Sequence, residues 1–151
     1  MRYHQLSEVF GHLVKLNVAT LAFYERGLEV IKQERARMFL HYLITKQKVK
    51  NDHLMASLED GPSKMFEMWF DDEIDLLLLD FIEKLTLDPD AKSDKILLVL
   101  MEVNEKIEAW LKSVSTAIIN SDAREYIQDL IDYLSQANQQ IIHGLQRMDD
   151  V

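Results

Sequence analysis

Apolar residues recur at helical spacing through four long segments of the chain. The first carries Val9, Leu13, Leu16, Thr20, Phe23, Gly27 and Val30, and the second Phe39, Leu40, Leu43, Leu54 and Leu58. In the third, Ile96, Leu100, Val103, Ile107, Trp110, Val114 and Ala117 alternate steps of four and three. The fourth repeats the rhythm with Ile127, Leu130, Leu134, Ala137, Ile141 and Leu145. A strand would place apolar side chains at every second position, and no segment has that period. The pattern predicts an all-α chain.

Breakers and caps divide it. Gly61-Pro62-Ser63 ends the second helix, because Pro cannot continue the hydrogen-bond ladder and Gly suits a C-terminal left-handed position. Asp88-Pro89-Asp90 separates a shorter helix from the third, for which Ser93 or Asp94 is the expected N-cap. Asn120-Ser121-Asp122 makes the turn before the fourth helix, where Asp122 and Glu125 have capping-box spacing. The predicted helices cover roughly 5–32, 35–60, 71–86, 93–119 and 122–148 of a single domain, 1–151. Between the first two, Lys32 to Arg35 holds neither Gly nor Pro, and an unbroken helix over roughly residues 5–60 would be about 80 Å long.

An internal repeat argues for a turn instead. Shifted by 87, residues 13–58 lie on 100–145 without a gap. Ala36-Arg37 meets Ala123-Arg124, and Leu43-Ile44 meets Leu130-Ile131. Leu13, Asn17, Ala22, Ile31, Asn51 and Leu58 also meet identical residues, while Phe23 meets Trp110, Phe39 meets Tyr126 and Leu54 meets Ile141. Shared periodicity would explain the leucines. It does not explain the Asn and Ala-Arg pairs, which favour a duplicated hairpin. The marked turn at 120–122 then maps onto 33–35.

Two repeated hairpins joined by a long crossover resemble the ferritin-like four-helix bundle. The runs Ala22-Phe23-Tyr24-Glu25 and Ala36-Arg37-Met38-Phe39, with the Leu-rich stripe, are similar to the first hairpin of its rubrerythrin-type members. The resemblance implies a di-metal site, with one Glu from each of two helices and Glu-x-x-His from each of the other two. Aligned on the aromatic positions, this chain has Gln47 where Glu belongs and Lys50 where His belongs. Their repeat partners are Leu134 and Ala137. The first-helix ligand position falls near His12 to Lys15, without a Glu, and the third-helix position near Glu102. An amide, an ammonium and aliphatic groups are poor ligands. The resemblance therefore implies a bundle whose metal site is degenerate, with no cofactor, and weighs against oxidase or iron-storage activity.

Gln47, Lys50 and Glu102 are the candidate polar groups of the bundle centre. Lys50 either lays its stem on the core and frees its ammonium to water, or is partly buried and paired with Glu102 or another acid. His4, Glu8 and His12 share one helical face, and a hairpin turning near residue 33 sets His12 close to His53, so these four form an alternative zinc or nickel site. The competing expectation is a solvated face with incidental histidines. His41 and His143 fall off the apolar stripes and belong at the surface. Met65, Phe66, Met68, Trp69 and Phe70 open the crossover, either plugging one end of the bundle or anchoring a partner. The run 76–82 is apolar nearly all round and needs cover on two sides. Homodimerisation through the 65–85 crossover is the preferred reading.

Composition narrows the function classes. The chain has 151 residues, 48% hydrophobic, with 4 Gly, 2 Pro and no Cys. That excludes disorder, disulfides and thiolate chemistry. Its formal charge of −9 speaks against a general nucleic-acid binder. The charge is segregated: residues 1–65 sum to +3, 66–94 to −8 and 95–151 to −4. Arg35, Arg37, Lys46 and Lys48 give the second helix a basic side, either solvated or a dock for the acidic crossover, which salt would weaken. No signal peptide is visible, and the longest apolar runs are far short of a membrane span. A cytoplasmic protein without membrane contact is the expectation. No phosphate loop, dinucleotide fingerprint, HExxH or GxSxG motif occurs. The expected function is a non-enzymatic homodimeric interaction or scaffold protein, with an unassigned protein partner. Alternatives are a metal-binding or redox protein at the histidine cluster, and a small-ligand binder with a cavity near Gln47 and Lys50.

Overall fold

A computed structural model describes residues 3–59, 69–71 and 76–149. Its elements in chain order are β1 (Tyr3–Gln5), α1 (Leu6–Val30), α2 (Glu34–Glu59), β2 (Trp69–Asp71), α3 (Leu76–Lys84), α4 (Ser93–Ala117) and α5 (Ser121–Asp149). The fold is helical throughout apart from β1 and β2, which pair antiparallel with Gln5 opposite Trp69 and Tyr3 opposite Asp71. Three residues are too short a run to show a two-residue period, so this ribbon left no pattern in the sequence. Met65, Phe66 and Met68 lie outside the described residues, and only the backbone of Trp69 and Phe70 is placed.

The duplication is visible in the element bounds. A shift of 87 carries Leu6 and Val30, the ends of α1, onto Ser93 and Ala117, the ends of α4. It also carries Glu34, where α2 starts, onto Ser121, where α5 starts. The two turns are built alike. The Arg37 guanidinium donates to the carbonyls of Leu28 (2.6 Å) and Ile31 (2.9 Å), and Arg124 donates through Nε to Ile118 O at 3.1 Å. Backbone Arg37 N–H reaches Gln33 O and Arg124 N–H reaches Asn120 O, each at 3.0 Å. Helix C-termini leave carbonyls without partners, and the repeated Arg fills that need at both hairpins. The first turn thus needs no Gly or Pro.

Two caps differ from expectation. Lys92 occupies the N-cap of α4, so Ser93 is the first helical residue and Asp94 contributes a negative charge to the first turn. At α5 the Asn120 side chain, rather than Asp122, accepts from Ala123 N–H at 3.0 Å. That satisfies an orphan amide three residues on.

The crossover sets the topology. Pairing of β1 with β2 puts the start of α1 and the entry to the crossover at one end of the bundle. The Lys32 N–H bond to Pro89 O, 3.1 Å, puts the crossover exit beside the α1–α2 turn at the other. α3 climbs between these ends against α1 and α4 rather than against the basic side of α2. Arg26 holds its C-terminal end through the carbonyls of Glu83 and Leu85, at 3.3 and 3.2 Å. α4 therefore descends parallel to α2, and the four long helices run up, down, down, up. Gly27 lets the crossover come this close, since a Cβ there would sit 2.8 Å from Leu87 Cδ1.

The core follows the apolar stripes. Leu13, Leu16, Phe23, Leu40, Leu43, Leu54, Ile96, Leu111 and Ile127 are buried, as are Leu78 and Ile82 from α3. Each such aliphatic side chain contributes about 1.5–3 kcal/mol. Among the described residues no helix is long and apolar enough to cross a membrane.

Candidate functional site: a polar bundle centre and the groove beside it

Polar residues interrupt the apolar stripes halfway along the bundle. The Gln47 amide donates to Asn17 Oδ1 at 3.1 Å and to Asn51 Oδ1 at 2.8 Å. Asn17 in turn donates to Leu13 O at 2.9 Å, within its own helix. Across the bundle, the Lys50 ammonium donates to Asn138 Oδ1 at 2.7 Å. Asn17, Gln47, Lys50, Asn104 and Asn138 are all buried. Asn104 is the repeat partner of Asn17, and Asn138 that of Asn51. The matching asparagines that betray the duplication in the sequence thus form much of the bundle's polar centre. Their identity at both copies was the available signal, but nothing in the sequence showed that Asn17 and Asn51 meet Gln47 or that Asn138 meets Lys50.

Lys50 is only 6% exposed. Burial pulls its pKa from the ordinary 10.5 down to about 8, while the negative charge of Glu108 on α4 acts in the opposite direction. Glu102 stands exposed on the outer face of α4 and takes no part. The spacing argument misplaced it because a helix position one residue off the stripe already turns outward. Among the described residues no carboxylate lies within ion-pair distance of Lys50, whose hydrogen-bond partner is a neutral amide.

The structure does not bring the histidines together. His12 is buried at 4% exposure, its ring edge-on to Trp110 at 5.2 Å, so it belongs to the core rather than to a solvated face. His53 is exposed and lies parallel to the Tyr133 ring, 6.3 Å away on α5. The two imidazoles thus face different helices. Glu8 is exposed, and the side chain of His4 lies outside what is described. Among the described residues no group of three or more His, Asp or Glu is placed to hold a metal ion. His41 and His143 are at the surface.

A groove of about 300 Å³ runs between α2 and α5 beside the polar centre. α2 contributes Tyr42, Lys46, Val49, Lys50 and His53, and α5 contributes Tyr133, Gln136, Ala137, Gln140 and Ile141. The Lys46 ammonium sits 5.6 Å from the centre of the Tyr42 ring, a cation–π distance. Gly144 is what admits the Tyr42 phenol to this wall, since a Cβ there would collide with its hydroxyl. The arrangement offers ammonium groups, amides, the His53 imidazole and flat aromatic walls, and no metal-holding cluster stands beside them among the described residues. No protein-family model matches the chain, and neither does any curated protein or solved structure.

Proposed function

We propose that this chain is a ferritin-like bundle given over to a non-enzymatic role, a homodimeric interaction or scaffold protein that associates through its crossover. Two hairpins running up, down, down, up around a full-length crossover support the ferritin-like part of the reading. In such a frame Gln47 and Lys50 occupy ligand positions, and the centre holds amides and an ammonium of the chain's own. A group with fixed positive charge disfavours a cation beside it.

One observation carries the association. α3 buries Leu78 and Ile82 but leaves Leu76 at 61% and Leu77 at 82% exposure. Adjacent leucines facing water on a short helix already docked on its opposite face mark a surface that a second copy would cover. Sedimentation velocity at micromolar concentration tests this. The expected result is a dimer that Leu77→Glu converts to monomer with the far-ultraviolet circular dichroism spectrum, and so the helical content, unchanged. A monomeric parent protein overturns the association. Stoichiometric iron, manganese or zinc retained through dialysis overturns the metal-free reading.

A further inference from the structure

We infer that the groove between α2 and α5 is a binding site for a small aromatic carboxylate, with the Lys50 ammonium as counter-ion to its acid group and Tyr133 against its ring. This goes beyond the proposed dimer and stands on different residues.

The inference begins with an imbalance of charge. An ammonium carries three N–H donors, and the Lys50 group spends one on Asn138. It is more than nine-tenths buried, its acceptor is neutral, and Glu108 on α4 acts on it by charge without coming within ion-pair distance. A buried cation with a neutral partner and spare donors is poorly compensated, and an anion brought against it recovers the missing Coulomb attraction. Lys50 lines a groove whose volume, about 300 Å³, reaches the lower range of small-ligand pockets.

The walls select the rest of the ligand. Among the described residues no Asp or Glu lines the groove, and Lys46 adds a second positive charge to its wall on a chain of net charge −9. A cation or metal is disfavoured there. Val49, Ala137 and Ile141 are apolar and cannot solvate a charge, which restricts the acid group to the Lys50 side. Tyr133 stacks on His53 one turn along from Lys50, so a flat surface stands ready near the ammonium, while Tyr42 with Lys46 over its ring closes the far end of the groove. One buried ammonium balances one negative charge. That favours a monocarboxylate over a phosphate dianion.

Calorimetric titration of the full chain with 4-hydroxybenzoate, 4-hydroxybenzamide and inorganic phosphate tests the proposal. The benzoate is expected to bind at least about tenfold tighter than the benzamide, which has nearly the same shape but no charge, and phosphate weaker than either. Lys50→Met is expected to erase the preference for the acid while leaving the benzamide within about twofold. Ala137→Phe, which fills the groove without altering its charge, is expected to abolish binding of both aromatic compounds. Circular dichroism melts confirm that both variants are folded. Equal affinities for acid and amide, a preference that survives Lys50→Met, or no heat from the benzoate would each overturn the proposal. A monomeric protein would not, which separates this test from that of the dimer.

Discussion

A lysine side chain that ends against an amide inside a bundle is a cost to folding. Lys50 holds its proton in the folded state only up to about pH 8, against 10.5 ordinarily. Between these values the unfolded chain binds a proton that the folded chain does not, so stability rises with pH across that window. Below about pH 8 the full penalty is present, on the order of 3 kcal/mol. Lys50→Met removes the charge and keeps most of the stem, at the expense of the bond to Asn138. The variant is expected to be more stable than the parent by about 2 kcal/mol near neutral pH. That advantage should shrink steadily as pH rises from 8 towards 10.5. Urea unfolding of both proteins at several pH values measures it, and because the buried Tyr24 phenol is present in both, its own high-pH penalty cancels in the difference. A parent stabilised by an ion pair would give the opposite sign. The chemistry of this site was only half legible in the sequence. Gln47 and Lys50 stood out as breaks in an apolar stripe, but the groups facing them come from α1 and α5, and partner choice across helices depends on rotation and rise that spacing alone does not set.

At the scale of the element, the long helices were legible because their stripes are continuous, and the duplication sharpened their ends. The turn at 31–33 has no breaker of its own, yet its counterpart at 118–120 does, and both are closed by the same arginine. What escaped notice was short or backbone-made. The ribbon of β1 and β2 is three residues a side, and Asp71, the expected start of the third helix, pairs with β1 instead. The repeated cap makes a prediction of its own. Arg37→Ala and Arg124→Ala each release helix C-terminal carbonyls, and each is expected to cost about 1–2 kcal/mol in chemical denaturation. The two turns lie at opposite ends of helices roughly 37 Å long, so the double variant should lose the sum of the single losses. Arg37→Lys should rescue little, since one guanidinium currently bridges the Leu28 and Ile31 carbonyls. Losses well short of additive would mean that the turns are not independent copies of one device.

For the whole molecule, the question is what holds an acidic crossover against an acidic protein. Segregation of charge along the chain suggested docking on the basic side of α2, but α3 lies on α1 and α4, and its anchors are of another kind. Leu78 and Ile82 enter the core. Arg26 donates to backbone carbonyls of Glu83 and Leu85, and the Lys106 ammonium lies 5.0 Å from the centre of the Phe81 ring. The ion pair of Lys84 with Asp80 is internal to α3 and exposed, so it holds the helix to nothing else. None of these attachments depends on a carboxylate meeting a base across elements. Added salt therefore screens the mutual repulsion within a chain of charge −9 without weakening these described attachments. The melting temperature is expected to rise by a few degrees between about 0.05 and 0.5 M sodium chloride, as scanning calorimetry would record. A fall over the same range would mean that ion pairs, and not the apolar face of α3, fasten the crossover to the bundle.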